Sequence, residues 1–172
     1  MKKRIISLLL ALIMALSLLP VSVLAADDHT GQVHVTVENT TWAKADGALW
    51  EGTLVDEWVT LQADSSMMSC IKAALEKNNI SSTINSSSYG GEYISAINGV
   101  GEFSAGSESG WMGTLNDWFS NLSFSAFTVQ GGTLAAGDEI RVLYTKTGFG
   151  KDLGSDWSTA GNTALSALSF SS

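Results

Sequence analysis

The sequence predicts an α+β fold, in which a small β-rich domain carries one helix packed on its sheet. Strict alternation of apolar and polar residues opens the domain, and one run with helical spacing follows the first pair of strands. Further short alternating runs come after the helix. The predicted element order is therefore β-β-α-β-β-β-β, which favours a single helix lying on a sheet.

Two strands are predicted at the start of the domain. Residues 32–38 alternate strictly, with Val33, Val35 and Val37 on one face and polar side chains on the other, which is typical of a half-buried strand. Residues 52–62 form the second strand, and apolar side chains occur on both of its faces. We therefore expect the second strand to be partly covered on both sides.

The one helix is predicted at about residues 66–78. Side-chain oxygens at residues 64–66 can accept hydrogen bonds from the free N–H groups of the first turn. Asn78 and Asn79 are a plausible end, since asparagine tolerates the left-handed conformation that follows many helices. Apolar residues recur at spacings of three and four along one face: Met67, Met68, Ile71, Ala74 and Leu75.

The second half of the domain is predicted to contain short strands separated by turns. Residues 81–91 are rich in Ser, Asn and Gly and are predicted to form a loop, as are residues 101–110. The predicted strands are 92–97, a hairpin over 111–119 that turns at Asn116–Asp117, a brief strand over 124–129, and a last strand over 140–145.

The first 25 residues are predicted to be a secretory signal peptide. A positive start (Lys2, Lys3, Arg4) precedes a long apolar run, and small residues suit cleavage after Ala25. The apolar run is also long enough for a membrane anchor, but Pro20 and the small residues favour cleavage. We expect a secreted or cell-surface protein with a short lead over 26–32, a domain over 33–147, and a linker or the start of a missing following module over 148–172. A natural flexible end is the open alternative for that last segment.

Charge excludes one class of partner. The chain has 9 basic and 17 acidic residues; the signal peptide removes three basic and no acidic residues, which leaves six against 17, a net charge of −11. A chain this acidic repels phosphate backbones, so we expect no nucleic acid partner. No cluster of Lys or Arg points to an anionic membrane surface, and we expect no membrane insertion after signal cleavage.

Catalytic and metal-binding patterns are weak. The two histidines, His29 and His34, are not linked to any nucleophile motif, and the single Cys70 is best explained as a small buried apolar residue on the helix. Acidic pairs such as Asp138 and Glu139 could serve a glycosidase only by residue type. We therefore expect no enzyme, no catalytic residue, no bound metal and no required cofactor.

Aromatic residues carry the strongest binding signal. The chain has six tryptophans, whose ordinary role is core packing, and we expect that role for Trp58 and Trp111. Rings beside turns and strand ends can instead form a flat platform for a sugar, a corrin or a partner protein. The rings beside turns are Trp42, Trp50, Trp118 and Phe119.

Several short motifs, in order, resemble the transcobalamin-like C-terminal domain, a family whose bacterial members have no known function. They are residues 50–55, 93–99, 110–119, 125–127, 137–140 and 144–145, and they span most of residues 33–147. The resemblance implies a compact β-grasp-like fold with one helix. In transcobalamin and intrinsic factor this domain closes over cobalamin already held by a helical domain, and we expect no such helical domain within residues 1–172. The tail over 163–170 is similar to the opening strand of a cadherin-like module.

The leading functional hypothesis is a non-catalytic binding or accessory module at the cell surface, whose ligand is an unknown small molecule, glycan or protein. The candidate ligand-binding residues are Trp111, Trp118, Phe119, Trp50 and Tyr93. One alternative is a structural spacer or adhesion module of a longer surface protein. Another, carried by the resemblance alone, is corrinoid (cobalamin) binding. A hydrolase is the fourth hypothesis.

Overall fold

The computed structural model describes residues 28–88, 90–119 and 122–155. The predicted α+β fold is confirmed, because these residues form two sheets and one helix. The predicted signal peptide and the tail after residue 155 lie outside the described residues. Within them, no helix is long and apolar enough to cross a bilayer.

The larger sheet has five strands in the order β2-β1-β8-β6-β7. The first two strands form an antiparallel hairpin, and the last strand lies parallel to β1 in the centre of the sheet. The sheet is thus built from a hairpin and, after the helix, a returning strand parallel to the first. Its strands are β1 (Gln32–Asn39), β2 (Gly52–Thr60), β6 (Gly110–Leu115), β7 (Trp118–Phe119) and β8 (Glu139–Thr145).

The smaller sheet has three antiparallel strands in the order β3-β4-β5. These are β3 (Ser82–Ser86), β4 (Glu92–Ile97) and β5 (Val100–Gly101). The prediction of a loop over residues 81–91 is therefore wrong at β3. Every side chain of β3 except Ile84 is exposed, so the sequence shows no apolar alternation; pairing with β4 produces the strand instead.

Helix α1 spans Met67–Lys77, within a residue of the predicted range. Ser66 caps it: its hydroxyl accepts from Ser69 N–H, and the Ser69 hydroxyl accepts from Ser66 N–H, at 3.1 and 2.9 Å. Asn78 ends the helix, and Asn79 takes a left-handed φ of 56°. The predicted apolar face is buried in the main core, as is Cys70, and burial raises the pKa of the Cys70 thiol.

Both faces of β1 are buried in its second half, which corrects in part the expectation of one solvated face, while Gln32 and His34 stay partly exposed. Val33, Val35 and Val37 pack under the helix as predicted, but Thr36 and Glu38 are also only 7% and 5% exposed. Arg141 lies against Glu38 with an Nη2–Oε2 distance of 2.8 Å. Burial disfavours the charged guanidinium, yet its hydrogen bonds to Glu38 outweigh this and raise the pKa of Arg141.

Residues 124–129 form no strand, contrary to the prediction. Phe124–Ala126 is a 3₁₀ turn, and Thr128 makes only a single bridge, to Ser66. The Ser123 hydroxyl accepts a hydrogen bond from Ser125 N–H at 3.3 Å and holds the turn. This local hydrogen bond competes with strand pairing, so these residues turn where a strand was predicted.

Residues after β8 fold back on the large sheet. Lys151–Leu153 is a 3₁₀ turn, and Leu153 is fully buried against Leu143 and Phe119. The Asp152 carboxylate accepts from Lys146 N–H at 2.8 Å and also from the Thr145 hydroxyl. The sequence did not predict this contact, since it placed residues 148–155 in a linker. The division of the chain into segments otherwise stays a prediction.

Candidate functional site

Two of the five predicted site residues belong to an aromatic stack in the core. Trp50 is 7% exposed, and its ring lies 5.8 Å from that of Trp111, nearly parallel. The ring of Trp111 meets Tyr144 edge-on at 5.1 Å, and its indole N–H donates to Val100 O at 3.0 Å. Trp111 is therefore held rigidly, while one part of its surface stays accessible.

Trp118 and Phe119 lie at the end of the β6–β7 hairpin but face in opposite directions. Trp118 is 51% exposed, whereas Phe119 is 3% exposed and packs with Leu143 and Leu153. The predicted turn at Asn116–Asp117 is confirmed, and both residues take positive φ, of 52° and 63°. Because successive strand residues face opposite sides, Trp118 and Phe119 do not form one platform.

Tyr93 and Trp111 meet at a groove of about 760 Å³ between the two sheets. Three short runs of residues line most of it: Glu92–Ile94 of β4, Trp111–Gly113 of β6, and Leu122–Ala126 around the 3₁₀ turn. Ser87, Gly90 and Gly91 complete its rim. The groove thus unites two of the five predicted residues and leaves out Trp50, Trp118 and Phe119.

The 3₁₀ turn at Phe124 packs on β6, where its ring lies against Gly113. A side chain at Gly113 would place its Cβ 2.7 Å from the Phe124 ring, so only glycine leaves room for that ring. Ser123 ties the same turn to β4, because its hydroxyl donates to Glu92 O at 3.1 Å. The third wall of the groove is therefore fixed to both sheets.

The groove is mostly apolar and offers few polar groups. Glu92 supplies its one ionised side chain among the described lining residues, and Lys72 Nζ neutralises that charge at 2.7 and 2.9 Å from the two carboxylate oxygens. The hydroxyl of Ser125 is buried and makes no hydrogen bond with any described residue. A buried hydroxyl without a partner is uncommon, and it marks the place where a ligand could accept or donate one bond.

The histidines lie away from the groove. No His, Cys, Lys or Arg is among the described lining residues. His34 Nε2 lies 2.6 Å from Asp56 Oδ1, and both His34 and His29 stack on Trp58, at 4.8 and 3.8 Å between ring centroids. Within the described part of the chain, no three His, Cys, Asp or Glu side chains gather as a metal would require.

A family model described as a domain of unknown function (DUF4430) matches residues 64–146. No curated protein matches the chain. The matched segment runs from the residues before α1 to the end of β8, and it contains every element that lines the groove. Since the family description names no activity, the function has to be argued from the groove.

The third wall of the groove, formed by Leu122–Ala126, was not predicted from the sequence. Phe124 was placed in a strand, and Ser123, Ser125 and Leu122 were not considered as lining residues. One signal was available: the pair Gly90–Gly91 directly before a strand suggests close approach of another segment. Ser123 lies against Gly91 in the structure, with Ser123 Cβ 2.7 Å from where a Gly91 Cβ would stand.

Proposed function

We propose that this protein is a secreted or cell-surface binding module without catalytic activity, and that it holds its ligand in the groove between β4 and β6. The observation that supports this most directly is the groove itself. Its volume of about 760 Å³ lies in the range of ligand sites, and its wall is mostly apolar, with Tyr93, Ser123 and Ser125 as hydroxyl-bearing lining residues. Secretion rests on the signal-peptide pattern of residues 1–25.

The rigidity of the groove also favours binding. Trp111 is stacked on Trp50 and hydrogen-bonded to Val100, so little side-chain entropy is lost when a ligand contacts it. Tyr93 of β4 also lines the groove and is 38% exposed, so its ring is open to contact with a bound group. A non-catalytic role fits the lining, because its one carboxylate is already paired with Lys72.

A corrinoid is the ligand that the resemblance to the transcobalamin-like domain suggests. We therefore propose cobalamin and cobinamide as the first compounds to test, together with Nile red as a neutral apolar probe of the groove. Each would be titrated into residues 26–172 while tryptophan fluorescence and ligand absorbance are followed, with correction for light absorbed by the corrin.

Two variants identify the site. Tyr93→Ala removes a groove ring from an exposed position, and Trp118→Ala removes an exposed ring outside the groove. We expect Tyr93→Ala to weaken binding of Nile red about tenfold and Trp118→Ala to leave it unchanged. Equal binding by all three proteins would overturn the proposed site. A corrin spectral shift lost only in Tyr93→Ala would make the ligand a corrinoid.

A further inference from the structure

Each of the three segments that line most of the groove contributes an aromatic ring. Tyr93 comes from β4, Trp111 from β6 and Phe124 from the 3₁₀ turn. The face of an aromatic ring carries partial negative charge, so it attracts a cation as well as an apolar group. Rings gathered from separate segments around one space are the arrangement by which proteins hold quaternary ammonium ions.

Two of these rings are fixed in place before any ligand arrives. Trp111 stacks on Trp50, and the ring of Phe124 lies against Gly113. Neither Trp111 nor Phe124 is fully buried, and Tyr93 is 38% exposed. Each ring therefore keeps some surface open, and little side-chain freedom is lost when a ligand contacts the two fixed rings.

Charge in and around the groove favours a cationic ligand over an anionic one. Residues 87–94 and 111–126, which supply the groove lining, contain no Lys, Arg or His, and their charged residues are Glu92 and Asp117. The protein without its signal peptide carries six basic and 17 acidic residues. Such an acidic protein attracts cations and repels anions, so a cation entering the groove meets no like charge from these segments.

Glu92 can take part in binding a cation although Lys72 already pairs with it. The Lys72 and Glu92 side chains are 38% and 40% exposed, and Lys72 belongs to α1, outside the groove lining. An ion pair this open to solvent is weak, because water screens both charges. Lys72 can therefore turn toward water when another cation approaches the carboxylate.

We propose that the groove binds a small organic cation through a quaternary ammonium group of the kind found in choline. This inference rests on the proposed function and names the chemistry of the ligand. The methyl groups would bury apolar surface against the rings, while the charge is attracted to the ring faces and to Glu92. A quaternary nitrogen has no N–H group, so it needs no hydrogen-bond acceptor in a mostly apolar groove. A primary ammonium would lose the bonds of its three donors to water there.

The test compares choline with its neutral isostere, neohexyl alcohol, in which a tert-butyl group replaces the trimethylammonium group. Each compound is titrated into residues 26–172 at constant ionic strength, adjusted with sodium chloride. Nuclear magnetic resonance shifts of the backbone N–H groups of Trp111 and Gly113 report binding in the groove. We expect choline to bind about fivefold more tightly than the alcohol, because shape and apolar surface are matched and only the charge differs.

Matched variants separate the attraction of a ring for charge from its apolar surface. Tyr93→Leu keeps an apolar side chain at a 38% exposed position but removes the ring, and it should lower the preference for choline about threefold. Tyr93→Phe, which keeps the ring, should restore most of that preference. Trp118→Ala removes a ring outside the groove and should change the binding of neither compound.

The carboxylate is tested in the same way. Glu92→Gln should weaken choline about threefold and leave the neutral alcohol unchanged, whereas Lys72→Met frees the carboxylate and should strengthen choline. Equal binding of choline and neohexyl alcohol would overturn the inference, as would a preference for choline that survives both Tyr93→Leu and Glu92→Gln. Absence of choline binding would overturn it too. In each case, groove-dependent binding of Nile red would keep the proposed function standing, and its loss would remove both.

Discussion

The aromatic stack and the groove share one residue, Trp111. The rings of the stack are covered by one another, whereas the groove leaves a ring partly open to solvent. In the stack, Trp50, Trp111 and Tyr144 cover one another, and the Tyr144 hydroxyl donates to Gly101 O at 3.0 Å and meets Ser109 Oγ at 3.1 Å. In the groove, Tyr93 is 38% exposed and the Ser125 hydroxyl has no partner. The neighbours that cover an aromatic ring therefore decide whether it stabilises the fold or stays open to a ligand. Its position near a turn does not reveal which of the two roles it has.

The largest expected effect comes from removing the ring that both regions share. Trp111→Ala deletes two ring contacts and the hydrogen bond to Val100, and we expect a loss of about 3 kcal/mol in the free energy of unfolding. Urea denaturation measures it. Trp118→Ala is the control, with an expected change within about 0.5 kcal/mol because that ring is half exposed. Similar losses in the two variants would mean that the hairpin tip is packed as tightly as the stack.

A methyl group at Gly113 should strain the contact between the groove wall and β6. Its Cβ would lie 2.7 Å from the Phe124 ring, so Gly113→Ala should cost about 1–3 kcal/mol of stability. Pairing it with Phe124→Ala gives a double-mutant cycle. The double variant should be more stable than the sum of the two single changes implies, because the clash disappears with the ring. Simple additivity would show that Phe124 does not rest on Gly113.

Two nearby serines, Ser123 and Ser125, differ in whether the hydroxyl has a hydrogen-bond partner. Ser123→Ala loses hydrogen bonds to Glu92 O and Ser125 N–H and should destabilise the fold by about 1 kcal/mol. Ser125→Ala removes a buried hydroxyl that has no partner, so stability should stay the same or rise slightly. Thermal unfolding distinguishes them: Ser123→Ala should lower the melting temperature, and Ser125→Ala should keep it. A clear drop in that temperature would assign the hydroxyl a structural bond.

The smallest expected effect is a change of stability with pH, caused by the buried Cys70 thiol. Burial raises the pKa of Cys70 above its ordinary value of 9.0, so above that pH the unfolded chain releases a proton that the folded protein keeps. The unfolded state then binds fewer protons, and stability falls as pH rises toward the folded pKa. Between pH 7 and 9.5 the melting temperature should therefore fall more for the natural chain than for Cys70→Ala. An identical fall in both would mean that the thiol is accessible in the folded state.

The sequence predicted those elements whose apolar residues are spaced so that they all lie on one face, toward the core. α1 and β1 were found because Met67, Ile71 and Leu75 in one, and Val33, Val35 and Val37 in the other, all face the same core. β3 was missed because its polar side chains remain in solvent and only pairing with β4 defines it. The spacing of apolar residues within a segment indicates which side chains are buried. It does not indicate which strands will be neighbours.

The candidate site was predicted only in part for the same reason. Tyr93 and Trp111 were both named as candidate ligand-binding residues, but they lie far apart in the chain and line one groove only because the two sheets lie side by side. Ser125 gave no signal at all, since one serine in a Ser-rich chain is indistinguishable from the others until its surroundings are known. Phe119, chosen for its ring, belongs to the second core cluster.

The parallel pairing of β1 with β8 has a mechanical consequence. These strands lie near the two ends of the domain, and five residue pairs join them, from His34–Glu139 to Glu38–Leu143. Tension applied at residues 28 and 155 would slide one strand along the other, so the hydrogen bonds between them would have to break together. Pulling β1 from β2 at residues 32 and 60 would open that antiparallel ladder one bond at a time. Single-molecule stretching should therefore give a clearly higher rupture force in the first geometry than in the second, and equal forces would contradict it. A domain built this way would resist tension applied between its two ends until the whole ladder between β1 and β8 breaks.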